Sequence, residues 1–422
     1  MARKMKDSGI EWIGEIPEGW RTINPKALFT QRKDKAQKGE RQLTSSQQYG
    51  ILYQDDYMEL TGSKVVTVEK DFDILKHVEA GDFVISMRSF QGGLEYSTKS
   101  GAISSAYVML VPNLELVYPH FYRWLLKSSV YIDALQRTTN MVRDGQAMRY
   151  SNFAQVRLFT LPLDEQKSRA DFLDLECSSI DKILFKTRSS IEEYKKLKQA
   201  VITQAVTKGV RGEREMKDSG VEWIGEIPKE WDILDLVAHT SMLTPMRDRP
   251  ENLDGPIPWI RIEDFDGKYI SSSKASLGVS KETVRSMNLK IYPVGTILCT
   301  SSCIMGKCAI VSRELVSNQR FIGIIPDQNT CENFLYYLML SNSERMNYLA
   351  TGALQANLSR SSFEHLKVQF PSYQEQKEIS DYLDTKCAEI DKLIAKKEQL
   401  VKELESYKKS LIYEVVTGKR KV

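Results

Sequence analysis

The chain of 422 residues lacks the segments that direct a protein into or across a membrane. No apolar run approaches the ~18 residues that are needed to span a bilayer. The first ten residues, MARKMKDSGI, begin with basic side chains but have no apolar stretch behind them, which is not typical of a secretory signal. The sequence therefore predicts a soluble, cytoplasmic protein without a membrane partner.

Metal-binding and catalytic motifs are missing as well. The six cysteines include no CxxC pair, and the four histidines have no ligand spacing. The patterns HExxH, GxSxG and Asn-Pro-Pro-Tyr do not occur, and SSCIMGKC, at 301–308, differs from a phosphate-binding loop at its first and last positions. We expect no metal site and no cofactor in this chain, and a binding protein rather than an enzyme.

Neither sign of charge is in clear excess. Lys and Arg number 59 against 56 Asp and Glu, and the pI is about 8.3. Such a balance neither requires nor excludes a locally basic face that binds nucleic acid. Hydrophobic residues make up 41% of the chain, which is typical of a folded globular protein.

What the sequence does contain is a duplication. Residues 5–20 read MKDSGIEWIGEIPEGW and residues 216–231 read MKDSGVEWIGEIPKEW, with 13 of the 16 positions identical. A second block occurs at 161–184 and again at 370–394, where EQK, Leu-Asp, Cys and Ile-Asp-Lys recur in register. Chance does not produce such repeats, so the chain consists of two related halves.

The duplication divides the chain into four predicted segments. Two domains occupy 1–163 and 213–372, and each is followed by a long helix, at 164–212 and at 373–422. Both domains show strand-like alternation and short helical stretches, which predicts an α+β fold with two mixed α/β domains. We expect strands within 81–87, 104–112, 295–303 and 320–326, and single helices at 119–135 and 332–349.

The two helical segments carry apolar residues at seven-residue intervals, with Lys and Glu on the other faces. Each would be roughly 65 Å long, and a polar-faced helix of that length needs a partner. We predict that they pair as an antiparallel coiled coil with a pseudo-twofold axis; packing of each stripe on its own domain is the alternative. The predicted packing residues are Leu173, Ile180, Ile183, Tyr194, Leu197, Val201, Leu383, Ile390, Leu393, Leu400, Leu404, Tyr407 and Leu411.

The repeated MKDSG-x-EWIGEIP-xx-W segment, the EQK-xxx-x-[FY]LD helix start and the VTKG and VTGK helix ends resemble the specificity subunit of Type I restriction-modification systems. The resemblance covers the whole chain. PWIRIEDF, at 258–265, is also similar to a segment of that family's variable domains, although the first domain has no counterpart to it.

The resemblance implies two target recognition domains, each reading one half of a bipartite double-stranded DNA site, and helices that set the spacer. It implies a non-catalytic chain that recruits two modification (methyltransferase) subunits and, in the full enzyme, restriction subunits. S-adenosylmethionine, ATP and Mg would then belong to these partners. Because the two domains differ in sequence, we expect an asymmetric target.

Reading of bases requires Arg, Lys, Asn or Gln on loops, with further basic groups for phosphates. The segments RDGQAMRYSNF, at 143–153, and TGALQANLSRSSF, at 351–363, each place polar side chains after a Gly, as the DNA-facing loops of the resembled family do. The predicted DNA-binding residues are Arg88, Gln91, Arg143, Gln146, Arg149, Arg261, Lys307, Gln319, Arg320, Gln355, Asn357 and Arg360.

Three further expectations concern the framework. The tryptophans of the repeated segment are expected to anchor it in the domain cores, and the equivalent Cys177 and Cys387 to pack between helices. Apolar helix residues outside the predicted stripes are candidates for docking the modification subunits, namely Leu184, Ile191, Ile394 and Val401.

Other readings of the sequence stay open. The same architecture could serve a specificity subunit of a different restriction type, or a coiled-coil adaptor whose domains bind proteins. A metal-dependent nuclease with an unrecognised site is the enzymatic alternative.

Overall fold

The computed structural model describes residues 4–68, 72–85, 94–138, 149–245, 248–302, 306–350 and 358–422. The chain forms two compact units. The first consists of Met1–Arg188 with Gln399–Val422, and the second of Ser189–Glu398. Each unit therefore contains one globular domain and parts of both long helices.

In the first unit, the domain alternates short strands with short helices. Its strands are β1 (Met5–Asp7), β2 (Glu15–Pro17), β3 (Arg21–Ile23), β4 (Phe29–Arg32), β5 (Leu43–Ser46), β6 (Gly50–Tyr53), β7 (Lys76–Val78), β8 (Phe83–Ile85), β9 (Leu94–Tyr96), β10 (Gly101–Ile103), β11 (Val108–Pro112) and β12 (Leu158–Thr160). Its helices are α1 (Pro25–Leu28), α2 (Gln54–Thr61), α3 (Pro119–Leu126), α4 (Ser129–Gln136) and α5 (Tyr150–Phe153), with a 3-10 turn at Phe72–Ile74.

The main sheet of this domain has four antiparallel strands in the order β4-β11-β8-β9. The pairs β1-β2, β3-β12, β5-β6 and β7-β10 are antiparallel two-stranded ladders. Buried residues of β8 and α3 meet Trp20 and Phe153 in one core, which continues onto the first long helix. The domain is therefore built directly on that helix.

The long helices are α6 (Leu163–Lys208), with 46 residues, and α11 (Tyr373–Val416), with 44 residues. The remaining strands are β13 (Met216–Asp218), β14 (Glu226–Pro228), β15 (Asp232–Asp235), β16 (Thr240–Leu243), β17 (Ile257–Ile260), β18 (Tyr269–Ile270), β19 (Gly278–Val279), β20 (Ile297–Thr300), β21 (Cys308–Val311), β22 (Val316–Ser317), β23 (Phe321–Pro326) and β24 (Lys367–Phe370). The other helices are α7 (Lys281–Ser286), α8 (Glu332–Ser341), α9 (Ser343–Leu349) and α10 (Arg360–Glu364), with 3-10 turns at Leu236–Ala238 and Ile262–Asp264.

The second domain repeats two of the two-stranded ladders of the first domain, but its larger sheets are different. A five-stranded sheet has the order β16-β23-β20-β21-β18, in which β18 and β21 are parallel. A three-stranded sheet, β19-β17-β22, is added beside it, and β17 pairs with β22 in parallel. The pairs β13-β14 and β15-β24 repeat the β1-β2 and β3-β12 ladders of the first domain. The α+β prediction is confirmed.

The prediction of single helices at 119–135 and 332–349 is wrong in one respect, because each segment forms two helices. The first breaks between α3 and α4, where the Ser128 hydroxyl donates to the Leu125 carbonyl at 2.7 Å. The second breaks at Asn342, whose side-chain amide donates to the Leu338 carbonyl at 2.9 Å. A short polar side chain at each break competes with the regular hydrogen bonds of the helix.

The long helices pair antiparallel within each unit. In the first unit, Lys408 Nζ lies 2.6 Å from Asp181 Oδ1, and Arg188 binds Glu405. In the second unit, Lys198 Nζ lies 2.7 Å from Asp391 Oδ2. The two lysine–aspartate pairs are copies of each other in the sequence repeat, so both units use the same helix pairing.

The buried stripe of the pair differs from the predicted one in half of its positions. Leu173, Ile180 and Leu383 are buried as predicted, but the second predicted stripe lies on the surface. Its side chains are 42–49% exposed: Ile183, Leu197, Leu393, Leu400 and Tyr407. The second buried stripe runs one residue further along and contains Cys177, Leu184, Ile191 and Cys387. Positions three and four residues after the first stripe both lie near its face of the helix, and the partner helix covers the one four residues on.

Candidate nucleic-acid interface

The repeated sequence motifs fasten each domain to the start of a long helix. In the first unit, the Trp20 Nε1 donates to Glu165 Oε2 at 3.1 Å. In the second unit, the Trp231 Nε1 donates to Glu375 Oε2 at 3.0 Å. Both indoles are almost completely buried, at 0% and 1% exposure. The Trp of the repeated segment and the Glu of EQK are therefore the two parts of one joint, present twice.

The Gln of EQK provides a second contact between the long helix and the domain in each unit. Gln166 Oε1 accepts a hydrogen bond from the backbone N–H of Tyr118 at 2.7 Å, and Gln376 Oε1 accepts one from Cys331 at 2.7 Å. Tyr118 and Cys331 immediately precede helices α3 and α8, whose first N–H groups have no partner within the helix. The same side-chain amide thus orients a domain helix in both units.

Four of the predicted DNA-binding residues line two cavities of the second domain. Arg261, Gln319 and Arg320 line a cavity of about 260 Å³, together with Arg249, Leu253, Trp259 and Asn318. Gln319 and Arg360 line a second cavity of about 470 Å³, together with Thr244, Pro245, Ser301, Ser302, Phe321, Ile322 and Leu358. The shared Gln319 makes the two cavities neighbours on one face of the domain.

The first cavity is strongly basic. Three guanidinium groups surround it, those of Arg249, Arg261 and Arg320, and no carboxylate is among its lining residues. The buried Nε of Arg261 has no hydrogen-bond partner in the described part of the chain, while its Nη1 lies 3.0 Å from Glu263 Oε1. A concave site with this charge attracts anions and concentrates them locally.

The segment PWIRIEDF positions Arg261 through a backbone turn. Asp264 is buried, and its Oδ2 accepts a hydrogen bond from the backbone N–H of Arg261 at 2.7 Å. Its Oδ1 accepts another from the N–H of Lys274 at 2.8 Å. The turn places Trp259 and Arg261 in the cavity wall, which explains why this segment contains an acidic residue so close to a basic site.

Opposite Arg261, the sequence SNQR forms the other wall. Asn318 Oδ1 accepts a hydrogen bond from the backbone N–H of Arg320 at 3.0 Å, which holds the turn before β23. The Gln319 and Arg320 side chains are exposed. The polar ends of both residues are thus free to meet a ligand at the rim.

The other predicted residues lie elsewhere. Lys307 is exposed on the turn before β21 and lines neither cavity, and Arg149 is exposed at the start of α5 in the first unit. Arg360 donates from its Nε to Glu364 at 2.7 Å. Six predicted residues lie outside the described residues: Arg88, Gln91, Arg143, Gln146, Gln355 and Asn357.

Sequence reasoning missed Arg249 and Asn318. Arg249 lies in the polar segment RDRPENLDG, at 247–255, which has no periodic pattern, and only the fold brings it beside Trp259 of β17. Asn318 directly precedes the predicted Gln319, so the run Asn-Gln-Arg was the available signal. Five described cysteines are buried free thiols, among them Cys177 and Cys387, as predicted.

Both the sequence and the fold of this chain are similar to those of known proteins. A family model described as the Type I restriction modification DNA specificity domain matches residues 229–403. The type I restriction enzyme MjaIX specificity subunit of Methanocaldococcus jannaschii is 34% identical over 179 residues, which is 41% of this chain and 41% of that relative. The MjaVIII specificity subunit of the same organism is 24% identical over 82% of this chain and 80% of its own length.

This chain is similar in sequence to specificity subunits of type I restriction enzymes. The family model covers the second half, and the duplicated joints extend the likeness to the first. A chain from a solved structure on complex assembly and conformational transition of the type I R-M system has the same fold as this protein, with a TM-score of 0.72 at 12% identity. That match covers 95% of this chain and 98% of the solved one.

The crystal structure of the HsdS subunit from Thermoanaerobacter tengcongensis has the same fold, with a TM-score of 0.52 at 13% identity, over 96% of this chain and 98% of that one. In the described part of this chain, no helix has the apolar length that a membrane crossing requires.

Proposed function

We propose that each domain of this specificity subunit reads one half of an asymmetric bipartite DNA site, and that the paired helices set the spacer. The observation that carries the proposal is a contrast between the joints and the domains. The Trp–Glu and Gln joints are the same in both units, whereas the sheets differ in strand number and order. A framework kept constant beneath two unlike domains suits recognition of two unlike sequences.

In the second domain, the basic cavity is the proposed DNA-reading site. Exposed Gln319 and Arg320 have the donors and acceptors that match adenine and guanine edges in the major groove. The half-buried Arg261, with Arg249, is suited to a phosphate, since it is held on one side by Glu263. In the first domain, and on the loop before Leu358, the sequence-based candidates stand as proposals.

The helices are the proposed docking surface for two modification subunits. Leu184 and Ile191 are not available for this role, because they are buried between the helices; Ile394 and Val401 are half-buried. The exposed stripe, formed by Ile183, Leu197, Leu393, Leu400 and Tyr407, is suited to this role instead. Phe185, which is 72% exposed, lies close to the stripe in the sequence and adds to the exposed apolar surface.

The chemistry is proposed to reside in the partners. The modification subunits would bring S-adenosylmethionine, and restriction subunits would bring ATP and Mg, while this chain contributes sequence recognition in the cytoplasm.

The test is a map of methylated bases in cells that express the chain with its modification subunit. We expect one motif with two unlike halves and a fixed gap. Arg320→Ala should relax one half of the motif and leave the other unchanged, because a bidentate base contact is worth about 1–3 kcal/mol of discrimination.

Arg313→Ala is the matched control, since this exposed arginine follows β21 at the end away from the cavities. It should leave both halves unchanged. A single continuous motif, or an equal loss in both halves with Arg320→Ala, would contradict the proposal.

A further inference from the structure

A cluster of one arginine and two aromatic side chains lies outside the cavities of the second domain. The Cζ of Arg345, on α9, is 3.9 Å from the centroid of the Trp223 ring and 4.9 Å from that of Tyr348. Trp223 belongs to the repeated segment and is 42% exposed, while Tyr348 is 79% exposed. Large aromatic side chains that share such an open surface often mark an interaction site.

Arg345 is held by these rings but not neutralised. In the described part of the chain, no carboxylate forms an ion pair with it, and its buried Nε has no hydrogen-bond partner. The rings fix the guanidinium, so less side-chain freedom is lost when a ligand binds. The remaining N–H groups form a fork that matches the oxygens of an anion.

Among the described residues of the first unit, no arginine stacks on the equivalent tryptophan. Trp12 packs edge-on against Tyr131, with ring centroids 5.5 Å apart, and its Nε1 donates to the Arg157 carbonyl at 3.3 Å. In the first copy, therefore, the indole makes contacts within its own domain. In the second copy it is used to present a cation.

Two contacts place the cluster at the cavity end of the second domain. Gly306, in the turn before β21, packs so closely on the start of α9 that an added Cβ would lie 2.3 Å from the Ser343 Cβ. At the other side of that turn, the Ser301 carbonyl accepts a hydrogen bond from the N–H of Leu358 at 2.9 Å. Ser301 and Leu358 line the second cavity. Gly306 thus contacts the helix that carries Arg345, and Ser301 belongs to the wall of the second cavity, which shares Gln319 with the basic cavity.

We infer that Arg345, stacked on Trp223 and Tyr348, binds a backbone phosphate of the DNA beside the half-site that the second domain reads. The inference rests on the DNA-reading function proposed above. A guanidinium without an ion pair, beside the second cavity and therefore near the basic first cavity, is complementary to the phosphate backbone. An acidic surface on a protein partner is the competing occupant.

The experiment measures DNA binding by the full chain in complex with its modification subunits. The probes are a fluorescein-labelled duplex with the mapped motif and a duplex of scrambled sequence. Arg345→Ala should weaken binding to both duplexes alike, by about tenfold at low salt. The slope of log K against log salt concentration should become less steep by about 1, because one phosphate contact is lost.

Two further variants keep the test sharp. Tyr348→Ala removes a ring that is 79% exposed, so the fold should melt unchanged while binding falls by a smaller factor. Arg313→Ala removes the same charge at the opposite end of β21 and should bind like the wild type.

Wild-type affinity and salt slope for Arg345→Ala would overturn the inference. If that variant instead lost its modification subunits, the cluster would be a protein-docking site, which also overturns it. If the wild-type complex bound neither duplex, the proposed DNA-reading function itself would fail, and this outcome is distinct from the others.

Discussion

At the residue scale, the two joints are completed by arginines that come from different places. In the first unit, Arg169 of α6 binds Glu165 and donates to the Val415 carbonyl at 2.8 Å, near the end of α11. In the second unit, Arg214 follows α6, binds Glu375 at 2.6 Å and donates to the Lys208 carbonyl at 3.0 Å. Each arginine satisfies a carbonyl at a helix C-terminus, where a cation is favourable.

The tryptophan anchors were predictable from the repeat, but these arginines were not. Trp20 and Trp231 occupy equivalent positions and are buried as expected, whereas Trp12 is half-buried and Trp223 is 42% exposed, so the core-anchor prediction is wrong for Trp223. Arg169 has Ile379 at the equivalent position of the second half, so no repeat pattern links it to Arg214. Only the meeting of one helix start with the other helix end, within each unit, gives the two arginines the same role.

The buried carboxylate of the joint should contribute far more to stability than its exposed neighbour. Glu375→Ala should lower the free energy of unfolding by about 2–4 kcal/mol, because it leaves the buried Trp231 Nε1 without its acceptor and takes the buried carboxylate from the Arg214 guanidinium, which keeps the Lys208 carbonyl and Glu230. Glu378→Ala is the matched control, since its ion pair with Arg211, at 2.7 Å, is exposed and should be worth less than about 1 kcal/mol.

Urea unfolding of the two variants gives the comparison. Equal midpoints for Glu375→Ala and Glu378→Ala would show that the joint does not stabilise the fold.

At the element scale, the pairing of the two long helices was predictable, but the face that each helix turns toward its partner was not. Apolar residues stand both three and four residues after the first stripe, as Ile183 and Leu184 show, so periodicity alone leaves the choice open. The partner helix decides it. Lys198 and Lys408 interrupt the true stripe at equivalent positions, which weakened its apolar signal, but they pair there with Asp391 and Asp181. The buried Cys177 and Cys387 were the remaining signal.

The two faces of α6 should respond differently to a charge. Ile191 is 7% exposed and Leu197 is 49% exposed, six residues apart on the same helix. Ile191→Asp should destabilise the fold by about 3 kcal/mol or more, because it buries an unpaired carboxylate. Leu197→Asp should change the melting temperature little but reduce co-purification with the modification subunit, if the exposed stripe is the docking surface.

Thermal melting and co-purification of both variants check this pair. A melting temperature for Leu197→Asp as low as that of Ile191→Asp would show that Leu197 packs against the partner helix, as the sequence predicted. Full retention of the modification subunit by Leu197→Asp would show that the exposed stripe is not the docking surface.

At the scale of the whole molecule, the duplication determined most of what could be predicted. The halves share the Trp–Glu and Gln joints, the helix pairing and the two lysine–aspartate ion pairs, and these follow from sequence repeated in register, whereas the arginines of the joints do not. The basic cavity has no such repeat. Its wall combines the turns at Arg261 and Gln319, which are far apart in the sequence and meet only because β17 and β22 pair in parallel. Sequence could name several of its residues but not their neighbours.

The most direct test of the account shortens both helices together. Deleting 188–194 from α6 and 395–401 from α11 removes one heptad from each and preserves the Lys198–Asp391 and Lys408–Asp181 pairs. Seven helical residues correspond to about 10 Å, or up to about three base pairs of DNA. Removing the heptad from α6 alone is the control, and it should destabilise the pair.

The measurement is the map of methylated bases for the doubly shortened chain. The account predicts a motif with both halves unchanged and a shorter gap between them. An unchanged gap in a folded, active complex would contradict the claim that the paired helices set the spacing of the two half-sites.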